Sequence, residues 1–192
     1  LSPLLEQLRP LLATEPLPVY VVGGTVRDAL LGRAGHDIDL AVAAGAIPLA
    51  FRLADALRLP AYVLDAERDV GRIIVPDEGT TLDVARFRGQ SLADDLRGRD
   101  FTINALALPA ISRSAADIID HHGGQDDLAT SLVRLIHPYS IADDPVRALR
   151  AVRFAVQFVF ALTPDTAAAA RAAGPNIPAQ SSAERVRDEL SR

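Results

Sequence analysis

Short apolar runs rich in β-branched residues alternate along the chain with glycine turns and helical stripes. The run 19–22 predicts a short buried strand, and the pair Gly23-Gly24 ends it. Residues 25–31 then have helical spacing. A second strand is predicted over residues 37–42. The opening pattern therefore indicates a strand, a short helix and a second strand joined by tight turns.

The next part of the chain continues with one helix and a series of strands. Residues 47–59 carry a helical stripe of leucines. Turn residues separate three further strand patterns, over 61–64, 72–75 and 80–87. A strand–helix–strand start followed by a meander predicts an α+β fold with a mixed β-sheet and flanking helices.

Helical patterns dominate beyond residue 136. One helix is predicted to follow Pro145. Its buried stripe is predicted to be Val146, Leu149, Val152 and Val156. Arginines recur every three residues at 147, 150 and 153, so they line one flank of this helix. We therefore expect a head over residues 1–136 and an all-α neck over residues 137–192.

Composition narrows the class of protein. The chain has 192 residues, a net charge of −5 and no cysteine, and all 20 of its basic residues are arginine. An acidic balance argues against a surface that wraps nucleic acid, and the lack of cysteine excludes a disulfide framework. No signal-peptide pattern or long apolar run is present, so we expect a cytoplasmic location and no membrane partner.

Two carboxylates lie two residues apart at the second predicted strand. Side chains at i and i+2 of a strand share a face, so Asp37 and Asp39 are expected side by side. Such like charges repel unless a cation sits with them, and Mg²⁺ suits carboxylates combined with substrate phosphates. Gly23 and Gly24 precede a helix start, where the backbone can approach an anion closely. Together these features predict a site for a metal ion and a triphosphate.

The combined spacing resembles a known signature. Gly-Gly-x-Val-Arg-Asp at 23–28, Leu-Leu-Gly at 30–32 and Asp-x-Asp at 37–39 resemble the tRNA nucleotidyltransferase/poly(A) polymerase family, the class II branch of the polymerase-β-like nucleotidyltransferases. The resemblance implies a nucleotidyltransferase head followed by a helical neck, with the longer family members' body and tail absent from this chain. It implies that a tRNA 3′-hydroxyl attacks the α-phosphate of CTP or ATP while Asp37 and Asp39 hold Mg²⁺.

Further motifs of the family follow in order. Asp83 matches a third carboxylate on the strand beside the Asp-x-Asp strand, where it is expected to assist the metal or the primer hydroxyl. Arg99 and Asn104 match a motif that faces the nucleotide sugar and phosphates, although Gly98 replaces the first arginine of that motif. Arg27 is expected either to neutralise phosphate or to pair with Asp28 and lock the turn.

The predicted neck helix carries the motif implied to read the base. By resemblance, Asp144 and Arg147 bond to the base edge of the incoming nucleotide, while Arg150 and Arg153 face the triphosphate or brace the helix. A carboxylate accepts from an exocyclic amine and a guanidinium donates to a ring nitrogen or carbonyl, which suits C and A. Val159 stands where the family usually has glycine, which we interpret as a packing change.

The expected activity is the addition of C and A to tRNA 3′ ends, with CTP, ATP and the tRNA 3′ end as partners. Alternatives within the resemblance are a poly(A) polymerase and enzymes that add only CC or only A. A different class of function is a non-catalytic nucleotide-binding module, which the presence of Asp37, Asp39, Asp144 and Arg147 disfavours. The sequence does not predict an oligomeric state.

Overall fold

The computed structural model describes residues 3–33, 35, 37–76 and 79–191. The chain forms two compact units. The first comprises Leu1–Leu96 with Leu106–His121, and the second comprises Arg97–Ala105 with His122–Arg192. None of the helices in the described part of the chain has the length and apolar content that a membrane span requires. The head–neck boundary expected at residue 136 stays a prediction.

The first unit is built on a mixed sheet. Over the described residues its seven strands lie in the order β3-β4-β5-β2-β1-β6-β7. These strands are β1 Val19–Val22, β2 Ile38–Val42, β3 Ala61–Asp65, β4 Val70–Val75, β5 Thr80–Arg86, β6 Leu106–Pro109 and β7 Ile119–Asp120. The β2–β5 pair is parallel and the other pairs are antiparallel, which confirms the predicted mixed sheet.

Helices flank this sheet. They are α1 Pro3–Leu12, α2 Gly24–Leu30, α3 Ala46–Leu57 and α4 Leu92–Arg97. A Cβ atom at Gly71 of β4 would lie only 2.6 Å from the Ala50 side chain, so the missing side chain lets α3 sit closely on the sheet. Asp69 accepts hydrogen bonds from the backbone N–H groups of Ala46 and Ile47 and thereby caps α3.

The second unit is mainly helical. Its helices are α5 Gly124–Ala129, α6 Ser140–Asp143, α7 Val146–Phe158, α8 Pro164–Ala173, α9 Ile177–Gln180 and α10 Ala183–Leu190. This unit also contains a short parallel pair of strands, β8 Leu132–Val133 and β9 Ala161–Leu162. Two phenylalanines of α7 supply the apolar packing, since Phe154 stacks on Phe158 at 5.6 Å between ring centroids and meets Phe101 edge-on at 5.8 Å.

The buried face of α7 includes Val146 of the predicted stripe but departs from that stripe further along the helix. Val152 and Val156, predicted to be buried, are 51% and 75% exposed. The helix instead buries Phe154 and Phe158. The prediction was wrong at these two valines because it followed the aliphatic period. The larger phenylalanine side chains are buried instead, and Arg150 bonds the buried Asp100.

Val159 ends α7 in the left-handed conformation, with φ 59° and ψ 43°. Its side chain is 87% exposed. The interpretation of this residue as a packing change is therefore wrong, because its side chain makes little packing contact. What this position requires is a left-handed backbone conformation. Glycine adopts this conformation without a steric cost, whereas a β-branched residue adopts it at a cost in free energy.

Candidate functional site

The start of β2 lies beside the start of α2. The Thr25 hydroxyl accepts a hydrogen bond from the Asp39 backbone N–H at 3.0 Å and donates to the Asp37 carbonyl at 3.3 Å. The Asp37 carboxylate accepts from the hydroxyl of Thr81 at 2.8 Å. Asp37 is exposed and Asp39 is half-buried. These bonds bring the two acidic residues next to the glycine turn, as the spacing predicts.

Asp83 lies on the neighbouring strand. The parallel register of β2 and β5 pairs Asp39 with Asp83, so the third carboxylate stands where the resemblance puts it. Both of its oxygens accept from Arg72 of β4, at 2.6 and 2.7 Å. These two hydrogen bonds to Asp83 raise the pKa of Arg72 well above its usual range, even though burial opposes the charge.

The glycine turn is shaped by its backbone and by Arg27. Gly23 has φ 66° and ψ −129°, a conformation that other residues adopt only under strain. Its N–H donates to the Leu106 carbonyl at 3.0 Å, so this amide is used within the protein. Arg27 is buried, bonds Asp28 through two nitrogens at 2.9 and 3.0 Å, and would lie 3.3 Å from a Cβ at Gly24. Arg27 therefore has the pairing with Asp28 that the second of its two expected roles requires, and its role towards phosphate stays a prediction.

The donor set suits a hard cation that brings other ligands with it. No cluster of three or more histidine, cysteine, aspartate or glutamate side chains in the described part of the chain is arranged to hold a metal ion. Asp37 and Asp39 supply carboxylate oxygens close to exposed surface. Mg²⁺ fits such a pair because it is usually bound by one or two carboxylates, with waters and substrate phosphates completing its octahedron.

In the second unit Asp100 joins a charged network. It is buried and accepts from the Asn104 side chain at 2.9 Å, from the Phe101 N–H at 2.8 Å and from Arg150 at 2.7 Å. Although burial opposes ionisation, the charge of Arg150 and these hydrogen bonds hold the pKa of Asp100 below its usual range. Asn104 is also buried, and its side-chain amide belongs to this network through the bond to Asp100.

Glu189 of α10 bonds the second and third arginines of the α7 series, Arg150 and Arg153. It accepts from Arg150 at 2.8 Å and from Arg153 at 2.7 Å. Burial opposes the charge of Arg150, but Asp100 and Glu189 together raise its pKa. These contacts brace the helix, which is one of the two expectations for Arg150 and Arg153. Arg99 donates to the backbone carbonyl of Asn104 at 3.4 Å.

Asp144 and Arg147 lie at the start of α7. Arg147 donates to the backbone carbonyls of Gly98 at 3.0 Å, Ser140 at 3.1 Å and Arg99 at 3.5 Å. A guanidinium has five donors, so these bonds fix its plane and leave capacity for a ligand. Asp144 accepts from Arg185 of α10 at 2.7 and 3.2 Å. Both residues that the resemblance implies to read the base are therefore held in place, Arg147 by backbone carbonyls and Asp144 by Arg185.

Residues 19–134 match the family of the poly A polymerase head domain. The chain belongs to this family. The match covers more than half of the chain and includes the carboxylates of the first unit together with Arg99 and Asn104. Residues 144–153 lie outside the matched range.

Curated relatives extend the likeness over nearly the whole chain. A CC-adding tRNA nucleotidyltransferase of Geobacter sulfurreducens is 40% identical over 90% of this chain and 39% of its own length. An A-adding tRNA nucleotidyltransferase of Deinococcus radiodurans is 38% identical over 95% of this chain and 41% of its own length. The chain thus spans about two fifths of the length of these two relatives.

Solved structures agree with the poly A polymerase head domain assignment. A CCA-adding enzyme in complex with ATP has a TM-score of 0.85 and 32% identity, over 99% of this chain and 48% of that one. The Thermotoga maritima CCA-adding enzyme complexed with tRNA has a TM-score of 0.82 and 34% identity, over 99% and 47%. The expected fold of the head and the family are confirmed.

The motifs of the poly A polymerase head domain do not reveal every contact of the site. Arg72 was not singled out, although it lies directly opposite Asp83 in the antiparallel register of β4 and β5. Glu189 was also missed, because nothing local marks one glutamate of α10 as the partner of α7. The Thr25 hydroxyl was missed because its two bonds require the start of β2 to lie beside the start of α2, an arrangement that the local sequence does not specify.

Proposed function

We propose that the chain is the catalytic part of a tRNA nucleotidyltransferase that adds C and A to tRNA 3′ ends from CTP and ATP. The observation that carries the proposal is the placement of Asp37 and Asp39 beside the Gly23–Thr25 turn in a member of this family. The names of the curated relatives and the CTP, ATP and tRNA complexes among the solved structures support the choice of substrates.

Asp37 and Asp39 are the proposed Mg²⁺ ligands. Bound there, Mg²⁺ supplies charge that favours the ionised primer hydroxyl and offsets the triphosphate. Thr25 bonds the backbone of both Asp37 and Asp39, and Thr81 bonds the Asp37 carboxylate. Asp83 is proposed to accept the hydrogen bond of the primer 3′-hydroxyl. As the hydroxyl oxygen bonds to the α-phosphate, its proton passes to water and the bond between the α-phosphate and pyrophosphate breaks.

The second unit is proposed to select the nucleotide. The Asp144 carboxylate accepts from the exocyclic amine of C or A, and Arg147 donates to the neighbouring ring nitrogen or carbonyl. U and G present the opposite polarity at that edge. Arg99, Asn104, Arg150 and Arg153 are proposed to support sugar and phosphate binding, directly or by fixing the motif. Gly23, Gly24 and Arg27 are proposed to shape the phosphate-binding turn. A cytoplasmic location is proposed with this function.

The relatives also favour a second candidate, in which the enzyme adds only CC or only A. The CC-adding and A-adding names occur at 40% and 38% identity, so the two activities lie at similar distances from this chain. A poly(A) polymerase is the remaining alternative within the family.

Primer extension at single-nucleotide resolution tests the proposal. The protein is given labelled tRNA lacking its 3′ end, Mg²⁺ and each of CTP, ATP, UTP and GTP, singly and together. We expect addition of C, C and A followed by a stop. A stop after CC, or A added only to tRNA ending in CC, would assign the second candidate. Long A-only tails would assign a poly(A) polymerase. Nucleotide binding without any addition would contradict the enzymatic proposal.

A further inference from the structure

Four polar side chains form a row across the sheet of the first unit. The β3–β4 register pairs Tyr62 with Arg72, the β4–β5 register pairs Arg72 with Asp83, and the β5–β2 register pairs Asp83 with Asp39. Directly paired residues on neighbouring strands stand on the same face of a sheet. The row therefore connects a proposed metal ligand, Asp39, to an arginine two strands away.

Arg72 fixes the carboxylate of Asp83, its neighbour in this row. It bonds both oxygens of Asp83, at 2.6 and 2.7 Å. A two-point bond from a guanidinium fixes the plane of a carboxylate as well as compensating its charge. Tyr62 stands directly opposite Arg72 in the β3–β4 register. Asp83 is therefore held in one orientation before any ligand binds.

That orientation points away from Asp39. In the sheet order, β5 lies between β4 and β2, so bonding to Arg72 turns both Asp83 oxygens towards the β4 side. Paired strands are about 4.8 Å apart, a spacing at which two carboxylates repel unless a positive charge compensates them. Arg72 supplies that charge next to the proposed metal ligands.

We propose that Arg72 is a positioning residue of the transfer site, which withholds Asp83 from the cation at Asp37 and Asp39 and keeps it oriented for the primer hydroxyl. This inference rests on the proposed function. Without Arg72, Asp83 turns towards Asp39, and the cation gains a third carboxylate. The cation is then bound more tightly, while the primer hydroxyl loses its acceptor.

Opposite changes in metal affinity and turnover follow from this role. In Arg72→Met we expect Mn²⁺, counted by the electron paramagnetic resonance of the free ion, to bind about threefold to tenfold more tightly, because an uncompensated carboxylate is added. We expect kcat for CTP addition to fall about tenfold or more with KM for CTP unchanged, because only the primer acceptor is misplaced. Arg72→Lys should recover part of the loss, since it restores charge without the two-point bond.

Two further variants complete the test. Asp83→Asn combined with Arg72→Met removes the released carboxylate and should return Mn²⁺ affinity to the wild-type value. Arg68→Met is the matched control, since it breaks an exposed arginine–aspartate pair at 3.7 Å in the same hairpin and should change neither quantity.

Mn²⁺ affinity that is unchanged or weaker in Arg72→Met would overturn the inference. A raised KM for CTP at unchanged kcat would also overturn it, because that result assigns Arg72 to nucleotide binding. If circular dichroism shows Arg72→Met unfolded, Arg72→Lys is decisive: tighter Mn²⁺ binding supports the role and unchanged binding overturns it. Wild-type protein that binds Mn²⁺ but adds no nucleotide contradicts the proposed function instead, and the affinity comparison still decides the role of Arg72.

Discussion

Asp100 is a buried carboxylate whose bonds come from three separate positions of the second unit. Phe101, Asn104 and Arg150 all donate to it. Its charge is tolerated because each of these donors favours the ionised form. The residue therefore links the stability of the second unit to pH.

Replacing Asp100 by asparagine should remove a defined pH dependence of stability. The pKa of Asp100 is lowered from 3.8 in the folded protein, so its contribution is present above that value and is lost as pH falls below it. We expect Asp100→Asn to lower the free energy of unfolding by about 2 kcal/mol near neutral pH, with the difference shrinking below about pH 4. Urea unfolding at several pH values measures this, with the exposed Asp126→Asn as control. A difference that stays constant into acid would contradict the assignment.

Single residues were predictable where a motif names them and unpredictable where a partner is distant. The juxtaposition of Asp37, Asp39 and the glycine turn follows from local spacing, and the structure contains it. Whether Arg27 faces a phosphate or Asp28 depended on side-chain geometry that spacing does not contain. Contacts such as Arg150 with Glu189 join residues 39 positions apart, and no periodicity specifies them.

At the scale of elements, strands were predicted more reliably than the faces of helices. Strands β1 to β5 are short apolar runs separated by turn residues, so their positions were predictable, whereas β6 was not predicted. Helix α7 has two candidate stripes, one of valines and one of phenylalanines with arginines. Pattern alone favoured the valines, but aromatic area and the acceptors available to the arginines decided the buried face.

The end of α7 carries a backbone strain that a glycine should relieve. Val159 is in the left-handed region and is exposed, so its side chain contributes little packing to lose. We expect Val159→Gly to raise the free energy of unfolding by about 0.5–1 kcal/mol, since glycine removes the left-handed cost at some expense in chain entropy. Thermal or urea unfolding measures the change.

Val156→Gly is the matched control for that prediction. It alters an exposed valine one turn earlier in the same helix, where glycine should instead destabilise by about 1 kcal/mol. Two variants that destabilise equally would show that the left-handed position carries no strain.

At the scale of the whole molecule, each of the two units carries part of the proposed chemistry. The first holds the carboxylates and the glycine turn, and the second holds the residues proposed to read the base. The order of motifs along the chain made this division of roles predictable. The bounds of the units were less so, because residues 97–105 belong with the later part of the chain although β6 and β7 follow them in the first unit.

The most direct test of the account is the turnover of Asp39→Asn. Nucleotide addition to tRNA lacking its 3′ end is measured at saturating CTP and Mg²⁺, beside Asp55→Asn, which changes an exposed carboxylate of α3. We expect Asp39→Asn to lose activity by about a hundredfold or more with an unchanged circular dichroism spectrum, because a metal ligand is removed. Asp55→Asn should keep wild-type activity. Near-complete nucleotide addition by a folded Asp39→Asn protein would contradict the assignment of the transfer site.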